Sequence, residues 1–166
     1  MPEEYEGPKD ESLSVPPPFF PEAEFAGLDF EDGEELVEVE IEGIYEMELE
    51  RNSHKFVFLK HGEERLPISI GSPEAKAILD PMEQEKPDRP MTHDLMKVLI
   101  ERLGATVEKV VIDDLFRDIY YAKVHLLTEC EEIAVDSRPS DAIALAVRFN
   151  VPIYVQSKVF QLAHQE

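Results

Sequence analysis

The sequence predicts an α+β domain, a mostly antiparallel sheet with helices packed against it, behind a disordered acidic N-terminal tail. Three observations carry this reading. Strand-period segments come in adjacent pairs joined by short turns, as hairpins do. Helix-period segments are grouped between them instead of following each strand, which disfavours a doubly wound parallel sheet. Residues 1–34 keep neither period and hold eleven acids against Lys9 alone, with six of the 13 prolines, a composition with too little apolar surface to fold. The expected organisation is a tail over 1–34, a domain over 35–160 and a short tail over 161–166.

From Leu36 the pattern becomes regular. Val37, Val39, Ile41, Tyr45, Met47 and Leu49 share one parity and six glutamates take the other, which reads as a long half-buried strand. Ile44 is out of phase, and Gly43 beside it marks a bend or bulge. Arg51-Asn52-Ser53 reads as a turn, followed by a strand over Lys55 to His61. Leu66, Ile68 and Ile70 form a third strand, which Pro67 consigns to an edge or irregular position. Ser72 is the expected cap of a helix with Pro73 in its first turn, running to about Glu85. After a Pro-rich connector over 86–91, Thr92 is the expected cap of a second helix. Its broad apolar face carries Leu95, Met96, Leu99, Ile100 and Leu103, and Gly104 ends it. Strands follow over Val107 to Leu115, Ile119 to Leu127 and Glu132 to Val135. Arg138 and Pro139 open the last clear helix, because a residue before proline avoids the helical region. Asn150 and Pro152 stop it. Ile153-Tyr154-Val155 is a short strand, and one or two helical turns follow over Ser157 to Ala163.

The 166 residues carry 37 acids and 16 bases, a net charge of −21, and 43 % of them are hydrophobic. That supports a real core and opposes non-specific binding to polyanions such as bare nucleic acid or an anionic membrane. A single cysteine, Cys130, rules out an intramolecular disulfide and a thiolate zinc cage. No apolar run approaches the roughly 18 residues needed to span a bilayer. The acidic start lacks the basic-then-apolar order of a signal peptide. The expected setting is the cytoplasm, with no membrane contact.

Phosphate-loop, dinucleotide and nucleophile-elbow glycine motifs are absent, as are paired histidines at zinc spacing. Polar groups cluster instead at three helix starts: Gly71-Ser72-Pro73-Glu74-Ala75, Arg89-Pro90-Met91-Thr92-His93-Asp94 and Asp136-Ser137-Arg138-Pro139-Ser140-Asp141. Helix N-termini accept anions, and Arg89, Arg138 and Ser140 are the candidate phosphate contacts. His93, Asp94 and Asp141 are the candidate catalytic groups. Asp136 and Asp141 are candidate ligands for a hard cation such as Mg²⁺ or Mn²⁺. Converging, these groups would form a phosphodiester-cleaving site. Capping and the helix dipole explain the same serine, threonine and aspartates more cheaply, although not the histidine. His125 reads as a surface residue, His54 and His61 as strand-end residues, and Cys130 as an exposed turn residue.

These blocks, with Leu66-Pro67-Ile68-Ser69-Ile70-Gly71, Tyr120-Tyr121-Ala122 and the run Ala142-Ile143-Ala144-Leu145-Ala146, resemble the bifunctional nuclease family over about residues 36–157. The resemblance implies a compact, commonly self-associating α+β domain that cleaves both RNA and DNA, activity attached chiefly to plant members, with this chain resembling bacterial ones. A homodimer or higher homo-oligomer is expected, and the edge strand carrying Pro67 leaves room for an interface on the other sheet edge. The charge departs from what a nuclease needs: residues 35–166 still hold 26 acids against 15 bases. Lys86, Arg89, Arg138 and Arg148 are the candidates for a basic groove. The alternative is a non-catalytic regulatory or binding module that recognises an anionic ligand or a protein partner.

Overall fold

A computed structural model of the chain describes residues 35–49 and 52–164. The tail expected over 1–34 and Arg51 lie outside these residues, whereas Asn52 and Ser53 of the expected turn already belong to the second strand, paired with Leu49 and Glu48. The elements are β1 (Leu36–Leu49), β2 (Asn52–His61), β3 (Glu64–Ile70), α1 (Ser72–Met82), α2 (Thr92–Arg102), β4 (Thr106–Phe116), β5 (Ile119–Leu127), β6 (Glu132–Ser137), α3 (Pro139–Phe149), β7 (Ile153–Gln156) and α4 (Ser157–Ala163). The strands form one seven-stranded sheet in the order β3-β2-β1-β7-β4-β5-β6. Every neighbouring pair is antiparallel except β4 and β7, which run parallel. The α+β, mostly antiparallel expectation is therefore met. The last strand inserts between the two hairpin systems and joins them. Pro67 lies on β3, an edge strand, where a missing N–H costs least.

Gly43 does mark a bulge: the β1–β2 register slips between Ile41 and Gly43. One extra residue reverses which side chains face the core. Ile44 therefore packs against the core, and Tyr45 and Met47 turn outward to solvent, correcting the uniform parity read from sequence. Tyr45 meets the edge of Phe58 on that outer face, ring centroids 5.4 Å apart.

One hydrophobic cluster unites Val39, Val57 and Leu59 of the first hairpin, Val110, Ile112 and Val124 of the second, Ile78 of α1 and Phe160 of α4. At its centre is α3, whose residues Ala142 to Ala146 are all buried. Its alanines let the helix approach the sheet closely while Ile143 and Leu145 fill space, and a helix apolar on nearly every side must be covered on nearly every side. Two expectations shift in detail. The N-caps of α1 and α2 are Gly71 and Met91, so Ser72 and Thr92 are first helical residues and not caps. Helix α1 ends at Met82. Helix α4 covers Ser157–Ala163, the span expected for the last helical turns.

Gly104, at φ +80°, closes α2. Its N–H bonds to the carbonyl of Glu101 at 3.1 Å and that of Ala105 to Ile100 at 3.1 Å, the double closure that a left-handed residue after a helix permits. Only part of the broad apolar face of α2 is covered. Met96 and Ile100 pack inward, but Met91, Leu95, Val98, Leu99 and Leu103 stand exposed. Among the described residues, no helix is long and apolar enough to cross a membrane.

Candidate functional site

The starts of α1, α2 and α3 meet at one cleft of about 560 Å³, whose lining includes Ser72, Glu74, Lys76, His93, Arg138 and Asp141. Each start is positioned by local sequence: Pro73 and Pro139 set the entry angle of α1 and α3, and Asp94 accepts the Met91 N–H at 2.9 Å to begin α2. Unpaired N–H groups at such ends present partial positive charge.

Asp141 is the hub. Its Oδ1 lies 2.9 Å from His93 Nε2, and Arg138 donates from Nε to Oδ2 at 2.7 Å and from Nη2 to Oδ1 at 3.1 Å. The hydrogen bond from His93, then that from Arg138, outweigh partial burial and hold the Asp141 carboxyl at about 2 against an ordinary 3.8. Asp141 is thus an ionised acceptor, so Nε2 of His93 carries the proton and donates it. That leaves Nδ1 of the neutral ring with its lone pair. Arg138 reaches on with Nη1 to Glu74 Oε1 at 3.2 Å, and its side chain stays 64 % exposed. Glu74 folds over Gly71 so closely that a side chain at Gly71 would displace its carboxylate.

A depressed carboxyl contributes stability that is complete above its unfolded value and is lost as pH falls through the folded one. The Asp141 contribution is therefore present above about pH 4 and disappears toward pH 2. A ¹³C titration of the Asp141 carboxyl is expected to have its midpoint at about 2 and to move up toward 3.8 in His93→Ala. A wild-type midpoint at the ordinary value would mean that the His93 contact does not persist in solution.

The structure brings together His93, Asp141, Arg138 and the start of α1. Asp136 lines an adjoining cleft of about 660 Å³ with His93, Arg138 and Asp141. Ser140, largely buried, lines a third with Glu74 and Arg138. Two candidates stand apart. Arg89 sits exposed in the connector over 83–91 and lines none of these clefts. Asp94 uses both oxygens elsewhere, one on the Met91 N–H and one on Arg148 Nε at 2.7 Å. Arg148 leaves the basic groove expected of it, because its side chain is only 6 % exposed and is spent on that contact.

Asp136 and Asp141 are the residues expected to hold a cation. Both Asp141 oxygens are bonded to His93 and Arg138, and a guanidinium on a carboxylate competes with any metal there. Among the described residues no group of three His, Cys, Asp or Glu is placed to hold a metal ion. As arranged, these side chains do not fit a resident divalent cation. His125 is a further correction. It is fully buried, flanked in register by Lys109 of β4 and Ala134 of β6, with Nδ1 2.9 Å from Glu132 Oε1. Glu74 was visible in the sequence only as an acid in a first turn; its partner lies 64 positions away.

The chain matches the bifunctional nuclease domain over residues 57–166. An uncharacterized protein of Mycobacterium tuberculosis is 43 % identical over 103 residues, covering 62 % of this chain and 61 % of its own. Bifunctional nuclease 1 of Oryza sativa subsp. japonica is 33 % identical over 97 residues, covering 57 % and 29 %. Bifunctional nuclease 2 of Arabidopsis thaliana is 32 % identical over 95 residues, covering 54 % and 28 %. The matches thus span under two thirds of the mycobacterial relative and under a third of the plant ones. Every residue of the cleft, from Ser72 to Arg148, falls inside the matched region, and the chain belongs to the bifunctional nuclease domain family.

Proposed function

We propose that this protein is a nuclease that hydrolyses phosphodiester bonds of RNA and DNA, with His93 as general base. The observation that supports it is the Asp141–His93 pair in a cleft where three helix starts and Arg138 favour a phosphate. DNA lacks a 2′-hydroxyl, so the nucleophile common to both substrates is water. His93 Nδ1 accepts a proton from that water as its oxygen attacks phosphorus. The bond to the leaving oxygen breaks, and the proton passes to that oxygen. Asp141 fixes the ring and stabilises its charged form, and the N–H groups that Arg138 keeps unused face the phosphate oxygens. Mg²⁺ or Mn²⁺ acts in this reading as a counterion that screens the acidic chain from a polyanion.

The test is incubation of the purified chain with labelled RNA and DNA, with Mg²⁺, Mn²⁺ or chelator, beside His93→Ala. Cleavage that chelator slows without abolishing, and that His93→Ala nearly removes, supports the assignment. Cleavage indifferent to His93→Ala rejects the site. No cleavage under any condition leaves the alternative, an anion-binding module built from the same helix starts.

We further propose that the exposed stripe on α2 is a self-association surface, in place of the sheet edge expected from sequence. Met91, Leu95, Val98, Leu99 and Leu103 recur at helical spacing on one face. Side chains of this size leave on the order of 400 Å² of apolar surface, about half of what each partner buries in a standard interface. Sedimentation is expected to show a dimer that Leu95→Lys with Leu99→Lys converts to monomer. A wild-type monomer at about 100 μM, a concentration at which even weak pairs form, would reject it.

A further inference from the structure

The nuclease reading accounts for the polar side of the cleft beside His93 but not for its other side. Ile119 and Tyr121 line that cleft while 58 % and 40 % exposed. The β4–β5 register pairs Phe116 with Ile119 and Asp114 with Tyr121, so Phe116, Ile119 and Tyr121 share one face of the hairpin. Phe116 is 57 % exposed, and the Arg117 guanidinium lies 5.0 Å from its ring centroid. An apolar and aromatic strip, with the Asp114 carboxylate opposite Tyr121, thus runs from the hairpin tip to the cleft that holds His93.

Charge gives the strip its meaning. Residues 35–166 carry 26 acids and 15 bases, and duplex DNA presents about one negative charge per 1.7 Å of its axis. The cations lining the main cleft are Lys76, Arg138 and Arg148, and Arg148 is buried against Asp94. Such a site gains little from a long run of phosphates and must bind by other means. Stacking on an exposed ring is available to any unpaired base and to none held inside a duplex.

Resting on the nuclease reading, we infer that the substrate is single-stranded nucleic acid, with the base beside the scissile phosphate lying on Tyr121 and Ile119 and a following base on Phe116. The Arg117 guanidinium, stacked on Phe116, is placed to meet a backbone phosphate between them.

The test is fluorescence anisotropy of the full chain with three phosphorothioate probes: an octathymidylate, the same octamer with abasic residues at its centre, and a hairpin duplex. The octamer is expected to bind about tenfold tighter than the other two, a typical worth of one stacked base. Tyr121→Ala and Phe116→Ala are each expected to erase that preference, and Tyr121→Phe to keep it. Equal or tighter binding of the duplex, or a preference unchanged in both alanine variants, overturns the inference. Cleavage of the unmodified octamer is read separately. Discrimination without cleavage retires the nuclease and keeps the stacking strip; cleavage without discrimination does the reverse.

Discussion

His93→Ala is expected to lower cleavage of a single-stranded oligonucleotide by about 10²- to 10⁴-fold, the usual worth of a general base. The size follows from the bonding around the ring. Asp141, ionised at neutral pH, takes the Nε2 proton and so fixes the tautomer whose Nδ1 can accept another. Without the ring, water in the cleft meets no imidazole, and the Asp141 carboxylate is held by Arg138 and far too acidic to replace it as a base. Phosphate binding should survive, since Arg138 and the helix starts are unchanged. The loss is therefore expected in kcat, with KM nearly constant. Asp141→Asn should fall by a similar factor for two reasons. An amide can turn its NH₂ to the imidazole and invert the tautomer, and it offers no charge to a protonated ring. It also loosens Arg138, so KM should rise as well. Arg138→Ala should raise KM more than it lowers kcat. Single-turnover kinetics on the three variants separate these patterns. A His93→Ala enzyme with kcat intact would remove imidazole from the mechanism.

Much of this geometry was legible along the chain. Pro73 and Pro139 announce helix starts by missing donors and fixed φ, and the alternation of β1 announces a half-buried strand. The limits have equally local causes. A period-2 pattern carries no mark of where an extra residue enters, so Ile44 looked misplaced when Gly43 had reversed the face. His125 alternates like a surface residue, and only the sheet order makes its strand interior. The candidate site divides along the same line. His93 and Asp141 could be singled out as chemistry at helix starts, but their contact spans 48 positions. Asp94 was recognised as a first-turn acid and also as a candidate catalyst. The former is what its bonds show, because its second oxygen is claimed by an arginine 54 positions away.

That arginine carries the largest expected effect on stability. Arg148→Met is expected to destabilise the domain by about 2–3 kcal/mol, the cost of stranding the Ala77 carbonyl together with loss of a charged hydrogen bond to the partly exposed Asp94. Urea midpoints should fall by roughly 1 M at an m-value of about 2 kcal/mol/M. Pro81 explains why the position is so demanding. It sits inside α1 and has no N–H to give the carbonyl of Ala77, four residues earlier. Arg148 Nη1 supplies that bond at 2.6 Å, bonds to Ala144 at 3.0 Å, and leaves Nε for Asp94. One side chain thus ties α1, α2 and α3 together behind the cleft, and Lys97 adds a bond to the Arg148 carbonyl at 2.7 Å. Methionine fills the volume but strands a carbonyl and a carboxylate. Pro81→Ala returns an N–H to Ala77, so it should stabilise Arg148→Met more than it stabilises the wild type, a coupling that helix propensity and packing alone do not produce. Burial pushes the Asp94 carboxyl up, but the bonds from Arg148 and the Met91 N–H outweigh it and leave it below the ordinary 3.8. A lowered carboxyl stabilises above its unfolded value and stops doing so as pH falls through the folded one. The gap between wild type and Arg148→Met should therefore be widest near neutrality and narrow below about pH 4. A gap that stays constant through acid would show that the arginine acts through volume and the two carbonyls, with no part played by its charge.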